Sequence, residues 1–296
     1  MRLLDAIKSS SDYLEKSGVE DSLVDAELLA LHAAGIDRLR AYMDNPEIDR
    51  RLSSKINRLM KRRAGGEPLQ YIIGQVDFLG LRIRVGKGVL IPRPETELLV
   101  QEAIKTVKRN ELWVMGKEKN SSRITHYASR SFLDLCTGSG CIALALAKEF
   151  PGARIYGTDV SARAIKYAKG NADYNGIKNV MFLKGSLFGP AKEHIAFDLI
   201  TANPPYIPTP DIAGLQREIK DWEPVEALNG GKDGLDFYRK ILSKGRGYLK
   251  EHGCILLELG FGQSEDVREI ARGSGFKNIS VKKDFAGIDR ILEAEG

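Results

Sequence analysis

The sequence contains few of the residues that form disulfide frameworks or metal sites. Its 296 residues include only three cysteines and four histidines, and the histidines are scattered singly. An odd number of cysteines without zinc-site spacing argues against a disulfide framework and against a metal centre. We therefore expect no bound metal and a reduced, cytoplasmic setting.

Long hydrophobic runs are also absent. The apolar stretches are much shorter than the roughly 20 residues that a membrane-spanning helix needs, and no secretory signal follows Met1. The net charge of +5 is small for this length, and a mild basic excess does not by itself predict nucleic-acid binding. We expect no membrane association, no direct nucleic-acid binding and a monomeric protein.

Residues 1–70 are predicted to form a small helical bundle. Leu3, Ile7 and Leu14 recur with helical spacing, and residues 22–25 have the pattern of a capping box. A later apolar stripe carries a basic face, made of Arg50, Arg51, Lys55, Arg58, Lys61, Arg62 and Arg63. A solvated helix surface is the ordinary explanation of such a face. A partner-binding surface is the alternative hypothesis.

The periodicity changes after residue 70. Phe78, Leu81 and Ile83 alternate with other residues between glycines, which predicts a β-hairpin linker over residues 71–93. A helix is expected to begin near Glu95. Residues 109–130 are polar and only weakly periodic, so we predict a loop or insertion there.

Residues 94–296 are predicted to form one α/β domain. Beyond Ser131, short apolar runs alternate with helical segments, which is typical of a doubly wound, mainly parallel sheet. Seven strands are expected, at residues 132–135, 154–158, 180–183, 197–201, 254–259, 279–281 and 290–292. A short loop joins the last two strands, so we expect them to be antiparallel and to lie at one edge.

The loop after the first of these strands has the composition of a ligand-binding turn. Thr137, Gly138, Ser139 and Gly140 lie between strand and helix, where glycines let the backbone approach a ligand and the helix N-terminus offers N–H groups. Asp159 ends the second strand, where a carboxylate can accept both hydroxyls of a ribose. A tight turn and a helix N-cap are the ordinary alternatives.

This pattern predicts a nucleoside ligand without specifying which one. Gly138, Gly140 and Ala143 also fit the dinucleotide fingerprint, so an NAD-binding oxidoreductase is a competing interpretation. The decision depends on the residues that meet the reactive end of the ligand. We expect these residues at the tip of the fourth strand.

The fourth strand ends at Asn203, Pro204, Pro205 and Tyr206. The prolines cannot donate ladder hydrogen bonds, and Pro204 biases Asn203 towards an extended backbone. The tip therefore presents an amide, backbone carbonyls and an aromatic ring, which together suit a planar NH₂ group. A hydride-transfer site needs a general acid or base instead. The tip favours methyl transfer to an sp² nitrogen, with an ordinary turn as the alternative.

Together these motifs resemble a class I S-adenosylmethionine-dependent methyltransferase. The Asn-Pro-Pro-Tyr tip is shared by enzymes that methylate planar nitrogens, including adenine-N6 DNA methyltransferases, so base methylation is an alternative. Three further stretches are similar to the HemK/PrmC family of peptide chain release factor glutamine-N5 methyltransferases: residues 67–74 (EPLQYIIG), 90–97 (LIPRPETE) and 223–235 (EPVEALNGGKDGL). The likeness covers nearly the whole chain, except for about 110–130.

The resemblance implies a domain organisation and a reaction. Residues 1–70 correspond to a helical substrate-binding domain, 71–93 to a hairpin linker and 94–296 to a methyltransferase domain. The implied cofactor is S-adenosylmethionine. The implied substrate is the glutamine of the Gly-Gly-Gln loop of class 1 peptide chain release factors.

The resemblance also implies roles for individual residues. The cofactor would be held by Cys136, Thr137, Gly138, Ser139, Gly140, Asp159, Leu187 and Asn203, and the glutamine amide by Asn203, Pro204, Pro205 and Tyr206. Two positions depart from the family pattern. Cys136 stands where the loop usually has its first glycine, and Ser186-Leu187 replaces an acidic and aromatic pair. Leu187 can still pack on an adenine ring.

Overall fold

The computed structural model describes residues 1–115, 130–191 and 195–296, with 111–115 described by their backbone only. The chain divides into two compact units, one of Met1–Gln75 with Gln216–Trp222 and one of Val76–Leu215 with Glu223–Gly296. Residues 216–222, which we expected in the methyltransferase domain, are thus grouped with the N-terminal helices.

The first unit is helical, as the apolar periodicity of its sequence predicts. Its helices are α1 (Leu3–Lys16), α2 (Ser22–Ala34), α3 (Arg38–Asp44), α4 (Arg50–Ala64), α5 (Leu69–Ile73) and a later helix at Arg217–Trp222. The predicted stripe of Leu3, Ile7 and Leu14 is buried in the core of this unit. Gly35 ends α2 with a φ of 69°, the left-handed conformation that favours glycine.

Two local predictions for the first unit are wrong. The capping box over residues 22–25 does not form, because α2 begins at Ser22 itself and the Asp25 side chain accepts from Arg63. Arg63 is therefore buried and does not belong to the basic face, whose other six members are exposed. A guanidinium that satisfies a buried carboxylate cannot also point into solvent.

The second unit contains the hairpin and the large sheet. The helix at Arg217–Trp222 of the first unit is numbered α9, because the numbering follows chain order. The helices and strands of the second unit are β1 (Gln75–Phe78), β2 (Leu81–Arg84), α6 (Pro94–Met115), β3 (Ser131–Leu135), α7 (Cys141–Glu149), β4 (Arg154–Asp159), α8 (Ala162–Tyr174), β5 (Val180–Lys184), β6 (Phe197–Ala202), α10 (Asp236–Gly245), β7 (Leu249–Glu258), α11 (Ser264–Gly273), β8 (Lys277–Lys283) and β9 (Asp289–Glu295). Short 3₁₀ turns lie at Thr209–Gly214, Val225–Ala227 and Arg246–Tyr248.

The seven-stranded sheet has the order β5-β4-β3-β6-β7-β9-β8. The five strands β5, β4, β3, β6 and β7 run parallel to one another, and β9 pairs antiparallel with both β7 and β8. The predicted α/β class and the antiparallel edge are both confirmed. The strands are buried apolar runs, and helices α7, α8, α10 and α11 supply further apolar contacts, so the core lies along the sheet.

Two segment predictions in this unit are corrected by the structure. The linker predicted as a hairpin over 71–93 begins with the end of helix α5, and its strands cover only 75–84. Helix α6 continues to Met115, through the first part of the loop predicted at 109–130. Within this extension, the Arg109 guanidinium pairs with buried Glu293 of β9. Residues 116–129 of the predicted loop lie outside the described residues.

Three further observations limit the chemistry of the described residues. All three cysteines are free thiols. Groups of three or more histidine, cysteine or acidic side chains arranged to hold a metal ion are not found in the described ranges. None of the described helices combines the length and apolar composition needed to cross a bilayer.

Candidate active site

A cavity of about 470 Å³ lies at the carboxyl ends of β3, β4 and β6. Strands β4 and β5 are added on one side of β3, and the chain then returns to add β6 on the other side. Open α/β sheets bind ligands at such topological switch points. The volume falls within the range of small-molecule sites, roughly 300–1,000 Å³. Sequence position and sheet topology therefore point to the same edge.

Most of the predicted site residues meet in this cavity. Its wall includes Cys136, Thr137, Gly138, Ser139, Asp159, Leu187, Asn203 and Pro205. The three remaining members of the prediction, Gly140, Pro204 and Tyr206, are not part of the wall. Gly140 instead precedes α7 with a φ of 84°, and a Cβ there would lie 2.9 Å from the Phe182 ring. Close packing against Phe182 therefore requires a glycine at position 140.

Asp159 fixes the glycine-containing loop from the end of β4. One carboxylate oxygen accepts from the backbone N–H of Gly138 at 2.9 Å, and the other from that of Ser161 at 2.8 Å. The N-cap of α8 is Ser161, whose hydroxyl accepts from Ala164, so the N-cap alternative for Asp159 is wrong. Burial raises the pKa of Asp159, while the two backbone donors oppose that rise. A carboxylate in this setting gains from further hydroxyl donors.

Asp134 supports the same loop from inside the sheet. Its fully buried carboxylate accepts from the hydroxyls of Thr137 and Thr201, which links the loop to strand β6. Burial raises its pKa to about 7, against the opposing effect of these hydrogen bonds. The sequence indicated Asp134 only as part of a strand. Its supporting role depends on the side-by-side placement of β3 and β6.

Asn203 is held by a hydrogen-bonded chain that reaches back into the sheet. Its Nδ2 donates to Thr96 Oγ1 at 3.0 Å, and Thr96 Oγ1 donates to Glu258 Oε2 at 2.7 Å. Thr96 also lines the cavity. Burial raises the pKa of Glu258 to about 7, although hydrogen bonds from Thr96 and Asn203 counteract this. The sequence reasoning singled out neither Thr96 nor Glu258 as a site residue.

Another part of the cavity wall is held by an ion pair between buried Glu223 and half-buried Arg93. Glu223 accepts from the Arg93 guanidinium and from the backbone N–H of Ile91 at 3.3 Å. These contacts bring Pro92 and Pro224, both wall residues, to the same region. In the sequence, only the family resemblance of residues 90–97 and 223–235 pointed to this region. It did not show that Arg93 and Glu223, 130 positions apart, are in contact.

Tyr206 lies beneath the tip of β6. Its backbone carbonyl accepts from Gln263 Nε2 at 2.9 Å, its ring packs against the main apolar cluster, and burial raises the pKa of its hydroxyl. This position supports the tip. Because Tyr206 does not line the cavity, the geometry does not support the predicted direct contact between this residue and a ligand.

Comparison with known proteins agrees with these features. A family profile described as the PrmC N-terminal domain matches residues 5–74, and a methyltransferase-domain profile matches residues 127–243. The release factor glutamine methyltransferase of Thermodesulfovibrio yellowstonii is 50% identical over 90% of each chain. That of Geobacter sulfurreducens is 42% identical over 95% of this chain and 92% of its own. The chain belongs to the release factor glutamine methyltransferase family.

Solved structures support the fold of this family member. The hMettl16 catalytic domain in complex with the MAT2A 3′UTR hairpin 6 has a TM-score of 0.54 at 18% identity, covering 80% of this chain and 81% of that chain. The N-terminal domain of human METTL16 in complex with SAH has a TM-score of 0.51 at 20% identity, covering 79% and 82%. At these identities the likeness concerns the fold alone.

Family membership makes the protein an S-adenosylmethionine-dependent methyltransferase, so the oxidoreductase interpretation is set aside. The cavity residues fit this cofactor. Asp159 offers a carboxylate for ribose hydroxyls, and Leu187 and Ile142 offer apolar surface for a flat base. The buried Thr158 hydroxyl on the wall has no partner among the described residues, which leaves a polar contact for a ligand.

Proposed function

We propose that the protein methylates the side-chain amide nitrogen (N5) of the glutamine in the Gly-Gly-Gln loop of class 1 peptide chain release factors. The observation that carries this proposal is the held amide of Asn203 on the same cavity wall as Asp159 and Gly138. Because its NH₂ group is bonded to Thr96, the Asn203 carbonyl oxygen remains to accept from a substrate. Since release factors act in translation, we place the protein in the cytoplasm.

The donor and acceptor sites have separate residues. Asp159 would bind the ribose hydroxyls, the loop of Thr137 and Gly138 the methionine part, and Leu187 the base. When bound, S-adenosylmethionine supplies an electrophilic methyl carbon on a sulfonium. The cavity walls hold the acceptor amide beside this carbon.

An amide nitrogen is a weak nucleophile because its lone pair is delocalised into the carbonyl group. Asn203 Oδ1 would accept a hydrogen bond from this NH₂ group, and the Pro204 carbonyl, although Pro204 is not part of the cavity wall, would accept the second. These bonds would increase the electron density on nitrogen and fix its direction of approach. The transfer would form one N–C bond as one S–C bond of the bound cofactor breaks, and the substrate amide would release one proton to water. Alignment of this kind can lower a barrier by roughly 7–11 kcal/mol.

The proposal is tested by incubating the protein with isotope-labelled S-adenosylmethionine and a purified class 1 release factor. We expect one added methyl group on the glutamine of the Gly-Gly-Gln loop, located by mass spectrometry. A release factor with glutamate at that position is the matched control and should remain unlabelled. Labelling of an adenine-containing DNA duplex, with no label on the release factor, would replace this proposal by base methylation.

Replacing Asn203 tests its role in the transfer. We expect Asn203→Ala to lower kcat by at least about 100-fold, as when a hydrogen-bonding group aimed at the reacting centre is removed. Calorimetric affinity for S-adenosylhomocysteine should change by less than about threefold, because Asp159 and its loop are untouched. Asn57→Ala, an exposed position of α4, is the control. Turnover near the wild-type rate in Asn203→Ala would refute the proposed role.

A further inference from the structure

We propose that Thr96 and Glu258 are positioning residues that fix which end of the Asn203 amide faces the substrate. This inference rests on the proposed function, because it concerns how Asn203 presents its oxygen to the glutamine NH₂ group. Neither residue touches the reacting atoms in this account. They act through Asn203 alone.

The direction of each hydrogen bond follows from the number of protons available. The Thr96 hydroxyl has a single proton, and when Glu258 is ionised this proton is donated to its carboxylate at 2.7 Å. Thr96 Oγ1 can then only accept from Asn203, which requires the NH₂ end of that amide at 3.0 Å. A rotated amide would set its carbonyl oxygen against an oxygen with no proton to offer. The carboxylate, which accepts both from Thr96 and directly from Asn203, thus selects one of two otherwise similar orientations.

The two residues that connect Asn203 to the sheet are both buried. Thr96 and Glu258 are each only 2% exposed. Glu258 lies at the end of β7, where it pairs with Ile291 of β9, and its backbone carbonyl accepts from the Tyr238 hydroxyl at 2.8 Å. Asn203 is therefore connected to the interior of the sheet through two buried side chains. A loop amide without such contacts would rotate freely.

Three variants separate this role from ordinary packing. Thr96→Val keeps the shape of the side chain and removes the hydroxyl, whereas Thr96→Ser keeps the hydroxyl and removes the methyl group. Thr106→Val is the matched control. Thr106 lies on the same helix α6, is also 2% exposed, and donates to buried Glu293 at 3.0 Å. It does not line the cavity.

In turnover measurements we expect Thr96→Val to lower kcat by at least about tenfold, since small misplacements of positioning groups have large effects on rate. The KM for the release factor and the affinity for S-adenosylhomocysteine should change by less than about threefold. Thr96→Ser and Thr106→Val should stay within about threefold of wild type. A packing role predicts the opposite order, with serine the worse substitution at position 96. That order, or an unchanged kcat in Thr96→Val, would overturn the inference.

A second measurement judges the inference without reference to activity. In protein labelled with ¹⁵N at asparagine, the side-chain NH₂ signals of Asn203 are assigned by their loss in Asn203→Ala. We expect slow hydrogen exchange of these protons in wild type and Thr106→Val, and at least about tenfold faster exchange in Thr96→Val. Equal exchange in all three proteins would refute the positioning role. Failure of the release factor to be methylated by wild type would instead count against the proposed function alone.

Discussion

Cys136 is held in a backbone conformation that cysteine seldom adopts. Its φ is 56°, in the left-handed region that favours glycine. The left-handed conformation costs a residue with a Cβ roughly 1–2 kcal/mol. The departure from glycine at this position therefore carries backbone strain in the structure.

Relief of this strain is measurable. We expect Cys136→Gly to raise the free energy of unfolding by about 0.5–1 kcal/mol, because the strain removed exceeds the entropy that glycine gains in the unfolded chain. Urea unfolding followed by circular dichroism measures the change. Cys254→Ala, at a buried thiol in β7, is a control that should be destabilising. A loss of stability in Cys136→Gly would contradict the strain assigned to this residue.

At the scale of single residues, site residues could be predicted from the sequence where prolines or glycines stand next to them. Asn203 could be predicted because two prolines follow it, and Asp159 because it ends a strand beyond a glycine-containing loop. The roles of Thr96 and Glu258 could not, since their contact joins positions 162 residues apart, and the stretch at 90–97 marked Thr96 only as part of the family resemblance. Side-chain partners of this kind are determined by packing, which a single sequence does not reveal.

At the scale of helices and strands, the helix Arg217–Trp222 illustrates how a buried charge holds an element. The Arg63 guanidinium of α4 pairs with Asp25 of α2 and with Glu218 of this helix. The side chains of Arg63 and Asp25 are each 7% exposed, whereas Glu218 is 40% exposed. Burial raises the pKa of Asp25, and the contacts with Arg63 oppose that rise. One arginine thus neutralises a buried acid and joins three helices.

Removing this arginine should destabilise the first unit. We expect Arg63→Met to cost about 3–5 kcal/mol, because it leaves the Asp25 carboxylate buried without its partner. Arg62→Met, the adjacent residue, is the control. Arg62 pairs with Glu67 at the surface, where such contacts contribute roughly 0–1 kcal/mol. Helical circular dichroism during urea unfolding compares the two, and equal losses would contradict the importance of burial.

Sequence patterns predicted the elements of the sheet better than the segments between them. Parallel strands are continuous apolar runs because both of their faces are buried, so their positions are apparent from composition. Helix α6 was underestimated at its C-terminal end, where Arg109 contacts Glu293 of β9, a residue 184 positions away that the local sequence does not reveal. The helix Arg217–Trp222 has only six residues and was missed for a similar reason.

At the scale of the whole molecule, two buried carboxyl groups make stability depend on pH. Burial raises the pKa values of Asp134 and Glu258 to about 7 in the folded protein, from 3.8 and 4.5 for unperturbed groups. Between these limits the folded state binds protons that the unfolded state has released. The free energy of unfolding therefore falls as pH rises from about 4 to 7, and this contribution becomes constant above about 7.

Glu258→Gln tests this dependence, because glutamine can still accept from Thr96 and does not ionise. We expect the stability of the variant relative to wild type to increase between pH 5 and pH 8, by up to about 2–3 kcal/mol. Thermal midpoints of both proteins at each pH measure the difference. Glu251→Gln, at an exposed residue of β7, should show no such trend. A constant difference across this range would contradict the raised pKa.

The first unit is built from two separate segments of the chain, which limits where the gene can be divided. Residues 216–222 belong with the N-terminal helices, although they lie between the Asn203 tip and the Pro224 wall of the cavity in sequence. Removal of residues 1–75 would therefore separate Glu218 from Arg63. The helix α9 would remain in the shortened polypeptide without the helices it packs with. Exchange of this unit between homologues needs two coordinated segments, so natural recombination at a single junction is disfavoured.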